Sequence, residues 1–120
     1  MEQHNIPEPR DQVTIGDFER LDIRVGRITA AQSFVGARKP AYQLTIDFGP
    51  LGLRRSSVQL TQLYSLEDLP GRLVLAVLNF PPRRIADFSS EVLVLGVPDA
   101  EGNVVLLRPE RDIPLGGRVF

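Results

Sequence analysis

The chain has 120 residues, with 42% hydrophobic and 24% charged. That suffices for one domain with its own core and argues against a largely disordered chain. No Cys is present, which excludes disulfides, thiol nucleophiles, iron–sulfur clusters and Cys-based zinc sites. The single histidine, His4, makes a histidine general base improbable and leaves no multi-histidine metal site.

Net charge is −1 but unevenly spread. Residues 1–20 carry two Arg against five acids, residues 21–90 nine basic groups against five acids, and residues 91–120 three Arg against five acids. A weakly basic middle between acidic ends suits either a polyanion ligand or a mixed soluble surface. All the basic residues but Lys39 are Arg, whose planar fork suits phosphates and carboxylates; genome base composition produces the same bias. No apolar run approaches the ~18–20 residues of a membrane span, and the first residues lack the apolar stretch of a signal peptide. A soluble cytoplasmic protein is expected.

Along the chain, residues 1–13 contain two Pro and read as a flexible tail ahead of one domain, residues 14–120. Thr14 followed by Asp17 is an N-cap signature for a short helix, with Phe18 and Leu21 available to a core. Residues 22–31 read as a strand in which the apolar parity slips near Gly26, the mark of a bulge or bend. After a basic loop over residues 33–40, Tyr42, Leu44, Ile46 and Phe48 alternate with polar residues, the pattern of a half-buried antiparallel strand. Gly49-Pro50-Leu51-Gly52 is turn chemistry, and residues 53–58 supply the returning strand of a hairpin.

Residues 59–69 place leucines at 60, 63, 66 and 69, a helical or short 3₁₀ spacing ended by Pro70-Gly71. The apolar run Leu73 to Leu78 suits a strand buried on both faces. Pro81 and Pro82 forbid ladder donors, so residues 81–90 read as a loop. Two further strands are expected over residues 91–97 and 103–108, separated by a turn, and residues 113–120 offer a last short strand. Short strands with Gly/Pro turns predict a mostly β barrel or sandwich. A helix between the third and fourth of five strands is the OB-fold pattern.

Arg83-Arg84 after a double proline offers two guanidinium forks on a stiffened loop, able to clamp phosphates or a peptide carboxylate; the alternative is a solvated loop tip. Arg54 and Arg55 are strand neighbours and cannot both line one groove. Ser56, Ser57 and Gln59 either donate to a ligand or, as is more common for such serines, cap the following helix. Ser90 and Glu91 stand at a strand entry. Asn79, at the end of an apolar strand, is either a hydrogen-bonding anchor or a ligand contact. Tyr42 and Phe48 belong to the core, whereas Phe80 and Phe88 either form an apolar pocket beside the arginines or pin their loop to the barrel. No glycine-rich phosphate loop, nucleophile elbow or Ser–His–Asp set is present, so no enzyme is expected.

The stretches LDIRVGRI (21–28), SSVQLT (56–61) and NFPPRRIADFSSEVLVLG (79–96) resemble the tRNA-binding domain family, and within it the branch of CsaA-type secretion chaperones. The resemblance spans residues 14–120. It implies an OB-fold with extra C-terminal strands in a homodimer, with unfolded or exported polypeptides as ligands, an association with the secretion machinery, and no cofactor. The alternative it implies is a structural tRNA-binding protein acting alone or with an aminoacyl-tRNA synthetase. Arg83 and Arg84 take the places of the family's basic pair, and Ser90-Glu91 match its Ser-Glu. The tRNA-binding branch usually continues with Gly and Met, where this chain has Val92 and Leu93. Asp87 stands where relatives commonly carry Gly and lowers the local positive potential. The expected binding surface comprises Asn79, Phe80, Arg83, Arg84, Ser90 and Glu91, with Ser57 and Gln59. Apolar segments at 92–97, 104–107 and 113–120 offer more apolar surface than a small barrel needs, which a two-fold interface would bury.

Overall fold

Alternation of apolar and polar residues builds the central ladder. In the computed structural model, which describes residues 6–120, Tyr42, Leu44, Ile46 and Phe48 are all buried while Gln43, Thr45 and Asp47 are half-buried. They form β2 (Tyr42–Asp47), antiparallel to both β1 (Ile23–Ser33) and β3 (Leu53–Val58). The Gly-Pro-Leu-Gly turn closes the β2–β3 hairpin through a 3₁₀ turn, with Gly49 and Gly52 both at positive φ. β4 (Leu73–Val77) pairs with the first half of β1, and β7 (Leu93–Val94) with β4. The sheet order β3-β2-β1-β4-β7 makes a nearly closed five-stranded barrel, as the OB-fold reading expects.

β1 passes from one half of this barrel to the other. Residues 23–27 pair with β4 and residues 27–33 with β2, so Arg27 sits opposite both Leu73 and Asp47. The expected ladder slip at Gly26 is corrected: Gly26 is in regular register with Val74, and the irregularity falls between Ile28 and Ala30. Gly26 answers a packing demand instead. A Cβ there would lie 2.6 Å from Ile46 Cγ2 and 2.7 Å from the Phe48 ring. The Ile46 and Phe48 side chains fill the space a side chain would need.

The core joins Ile28, Leu44, Ile46, Phe48 and Val74 with Leu60 and Leu69 from the β3–β4 connection. Fully burying each such side chain contributes roughly 1.5–3 kcal/mol. The leucine spacing of that connection yields the shorter of the two expected forms: turns, then one 3₁₀ turn at Leu66–Asp68, with Leu63 left exposed. Tyr64 ties it down, its hydroxyl accepting from Leu106 N and its carbonyl accepting from Tyr42 Oη.

Three sequence expectations change. Residues 83–90 are not a loop but a hairpin, β5 (Arg83–Ile85) with β6 (Phe88–Ser90), because the prolines precede this ladder and occupy none of its donor positions. The strand expected over 91–97 divides at Leu95: β7 joins the barrel, and β8 (Gly96–Pro98) pairs with β9 (Val104–Leu106) in a separate ribbon. Residues 113–120 form no named strand. They run along the edge of β1 that β2 leaves open, with Val25 N donating to Gly117 O and Val119 N to Ile23 O.

Helix α1 (Ile15–Glu19) has the expected capping box between Thr14 and Asp17, but it buries no residue, and Phe18 is exposed rather than in the core. Residues 6–13 have no regular secondary structure and are exposed; the rest of the expected tail, with His4, lies outside the described residues.

Candidate functional site

Barrel closure decides what the predicted site residues can do. β3 and the chain after β6 meet without a regular ladder, joined by one backbone bond and three made by side chains. Glu91 N donates to Arg55 O, and Arg55 N donates to Glu91 Oε1 at 2.9 Å. Ser57 N donates to Ser90 Oγ at 3.0 Å. Ser56, fully buried, donates its hydroxyl to Val92 O at 2.9 Å. The serines expected to cap a following helix therefore seal the barrel instead, since the helix they would cap does not form. Ser57, Ser90 and Glu91 thus have a structural task at the same place where they line a cleft.

Asn79 stands apart from that cleft. Its Oδ1 accepts from Asp22 N and its Nδ2 donates to Arg20 O, so it anchors the turn between α1 and β1. The same turn is held by Arg118, which donates to Glu19 O, and by the Arg24–Asp22 ion pair.

The hairpin separates the two arginines. On a strand neighbouring residues face opposite sides, and Arg83 and Arg84 are both exposed. Arg83 lines two adjoining clefts. One, about 200 Å³, is walled by Phe80, Pro81, Val92 and Leu93 with Ser90 and Glu91. The other, about 340 Å³, is walled by Arg38, Lys39, Ser57, Gln59 and Ile85. Arg84 borders neither and bonds locally to Ala86 O. The expected two-arginine clamp is corrected accordingly: the second and third cations beside Arg83 are Arg38 and Lys39, not Arg84. Composition marked their loop as basic, but only the fold shows that the 34–41 segment lies against the hairpin.

Phe88 and Phe80 divide the two roles open to them. Phe88 is buried, packs on Phe34 with ring centroids 5.3 Å apart, and joins Ala41, pinning the hairpin to the 34–41 loop. Phe80 is 44% exposed and walls the apolar cleft. Arg55, rather than Arg54, faces the hairpin: its guanidinium lies 4.3 Å from the Phe88 ring centroid. It lines a third cleft of about 320 Å³ with Gln32, Gln43 and Asp87. Asp87 therefore lines the Arg55 cleft and neither of the clefts beside Arg83.

A larger cavity of about 510 Å³ lies between the start of β4 and residues 108–112. Four arginines line it, but so do Asp68, Glu110 and Asp112, and Arg27 and Arg72 are engaged by the Gly71 and Asp68 carbonyls. Asp68 is held below its ordinary carboxyl value near 3.8, chiefly by its hydrogen bonds at Ser65 and less by the Arg72 charge. Arg38, Lys39 and Arg83, by contrast, line a cleft with no acid in its walls. Among the described residues no group of three or more His, Asp or Glu side chains is placed to hold a metal ion, and no helix is long and apolar enough to cross a membrane.

The chain is similar to known proteins over most of its length. The family model described as "Putative tRNA binding domain" matches residues 23–118. The methionine–tRNA ligase of Archaeoglobus fulgidus is 33% identical over 112 residues, which are 93% of this chain and 17% of that enzyme. The chain thus spans about a sixth of the length of the curated relatives it matches. Crystal structures described as chaperone CsaA are similar over their whole length. That from Bacillus anthracis shares 50% identity with a TM-score of 0.86, covering 92% of this chain and 100% of its own. That from Picrophilus torridus shares 44% with a TM-score of 0.85, covering 91% and 100%. The chain belongs to the tRNA-binding domain family.

Proposed function

We propose that the protein is a non-enzymatic, CsaA-like chaperone that binds unfolded or exported polypeptides in the cytoplasm on a dimeric OB-fold, handing them to the secretion machinery. The observation that carries this reading is the 50% identity and 0.86 TM-score to a structure described as chaperone CsaA, over all of that chain. The chemistry around Arg83 supports it. An apolar cleft adjoins a cationic one, so burial of an apolar side chain adds affinity that salt does not screen.

Dimerisation belongs to the same reading. Val97 is half exposed, Phe120 is fully exposed, and the β8–β9 ribbon stands outside the barrel ladder. A two-fold interface would cover such surface. Sedimentation velocity is expected to return twice the 13.3 kDa chain mass; a monomer at micromolar concentration contradicts this part.

Chaperone action is tested by light scattering of a heat-denatured client. Stoichiometric protein is expected to suppress aggregation, Arg83→Ala to weaken the suppression and Arg84→Ala to leave it unchanged. Absence of any suppression by the unaltered protein refutes the reading. A second reading, a structural tRNA-binding protein acting alone or with an aminoacyl-tRNA synthetase, is favoured by the family model and the methionine–tRNA ligase relatives. It predicts binding that falls steeply with salt as counterions are released.

A further inference from the structure

The clefts around Arg83 do not end where they have been described. A further cleft, about 230 Å³, lies beyond Lys39 and Gln59 and is walled by Thr61, Gln62 and Asn103. The apolar and cationic clefts share Ser57, Arg83 and Ile85; the cationic and amide clefts share Lys39 and Gln59. The three run on from one another as one groove with an order to its chemistry. Phe80, Pro81 and Leu93 stand at one end, Arg83, Arg38 and Lys39 in the middle, and uncharged side chains at the other end.

Among the described residues Arg38, Lys39 and Arg83 are all exposed and make no ion pair. The one carboxylate lining the three clefts, Glu91, stands in the apolar end and accepts from Arg55 N. The middle of the groove therefore carries three cations and no acid.

We infer that this groove selects an extended polypeptide segment bearing an aspartate or glutamate between a bulky apolar residue and an uncharged polar stretch. The selection rests on the polypeptide-binding reading above and adds to it a ligand class and a direction along the chain. Charge complementarity fixes the middle position: a carboxylate there meets three guanidinium or ammonium groups, and a lysine meets their repulsion. The groove favours a peptide over RNA because Phe80 is its only exposed aromatic face, whereas a single-strand binder stacks successive bases on several. Each exposed pair is weak alone, and it is their convergence on one carboxylate that gives selection.

The test uses the full chain and short labelled peptides in fluorescence anisotropy. The parent peptide has phenylalanine and leucine before a central glutamate and serine and asparagine after it; its partners carry glutamine or lysine at the centre. Glutamate is expected to bind about tenfold tighter than glutamine, ~1.4 kcal/mol, with lysine weaker again and the gap narrowing at high salt. Arg83→Glu and, separately, Lys39→Glu are expected to shrink or invert the glutamate-over-lysine preference, while circular dichroism reports an unchanged fold. Equal binding of all three peptides overturns the inference and leaves polypeptide binding standing, as does a preference untouched by both charge reversals. If no peptide binds while tRNA does, the inference and the chaperone reading fall together.

Discussion

Gly26 gives the most direct test of how the barrel is built. A Cβ at this position would lie 2.6 Å from Ile46 Cγ2 and 2.7 and 2.8 Å from two Phe48 ring carbons. Optimal carbon–carbon contact is ~3.5–4.0 Å, so three core atoms must each retreat by about 1 Å. Ile46 and Phe48 are both fully buried and have little room to move. Overpacking of this kind costs about 1–3 kcal/mol, and Gly26→Val, with two further methyl groups, is expected at or beyond the top of that range. The φ angle of Gly26 is not in the left-handed region, so the loss is one of packing and not of backbone strain. It should therefore be repaired from the other side of the contact: Gly26→Ala combined with Phe48→Leu is expected to be more stable than the sum of the single changes predicts. Urea unfolding of the four proteins measures this. At roughly 4 °C per kcal/mol for a domain of this size, thermal melts resolve it as well. An unchanged unfolding midpoint for Gly26→Ala, or strict additivity with Phe48→Leu, refutes the packing argument.

Other consequences follow from single contacts. Ser56→Ala leaves the Val92 carbonyl without its partner at the barrel seam and is expected to cost about 1–3 kcal/mol, read by urea unfolding and by faster amide exchange around residues 91–94. Ala86, at φ 51° in the turn of the β5–β6 hairpin, is the one described non-glycine residue in the left-handed region; Ala86→Gly is expected to be neutral or stabilising by up to about 1 kcal/mol, and a clear loss in a thermal melt refutes the strain. Asp68, its folded carboxyl lowered by the Ser65 hydrogen bonds, stabilises the 3₁₀ turn above the unfolded value near 3.8 and loses that contribution as pH falls through the lower folded value. An NMR titration of its carboxyl should therefore give a midpoint below 3.8 that rises towards it when Ser65 is replaced by Pro, which removes both the hydroxyl and the donor N–H. Arg83→Ala should weaken ligand binding more than Arg84→Ala, and equal effects refute the assignment of the two side chains to opposite faces of the hairpin.

Much of the fold was legible where one force dominated. The period-two pattern of β2, the doubly buried run of β4 and the capping box of α1 are set by residues close in sequence, and each formed as read. Legibility failed where tertiary partners decided. The prolines at 81 and 82 suggest a loop, yet pairing of Arg83 with Ser90 and the burial of Phe88 against Phe34 make a hairpin that begins directly after them. The run 91–97 looks continuous in sequence, but only its first part finds β4. Gly26 reads in sequence as a ladder slip, whereas what requires a glycine there is packing against Ile46 of β2 and the Phe48 ring just beyond it.

The site was legible in part for the same cause. Phe80, Arg83, Ser90, Glu91, Ser57 and Gln59 do surround connected clefts. Asn79 and Arg84 do not, because one is drawn to the α1–β1 turn and the other faces away on a strand. Arg38 and Lys39 sit in a loop whose contact with the hairpin depends on an aromatic pair far apart in sequence.

The measurement that tests the account most directly is side-by-side binding of an unfolded polypeptide and unfractionated tRNA, each at low and at physiological salt. The account predicts polypeptide binding that survives physiological salt, because Phe80, Pro81 and Leu93 contribute apolar burial, together with weak tRNA binding. Tight tRNA binding that falls steeply with salt, with no polypeptide bound at either concentration, contradicts it.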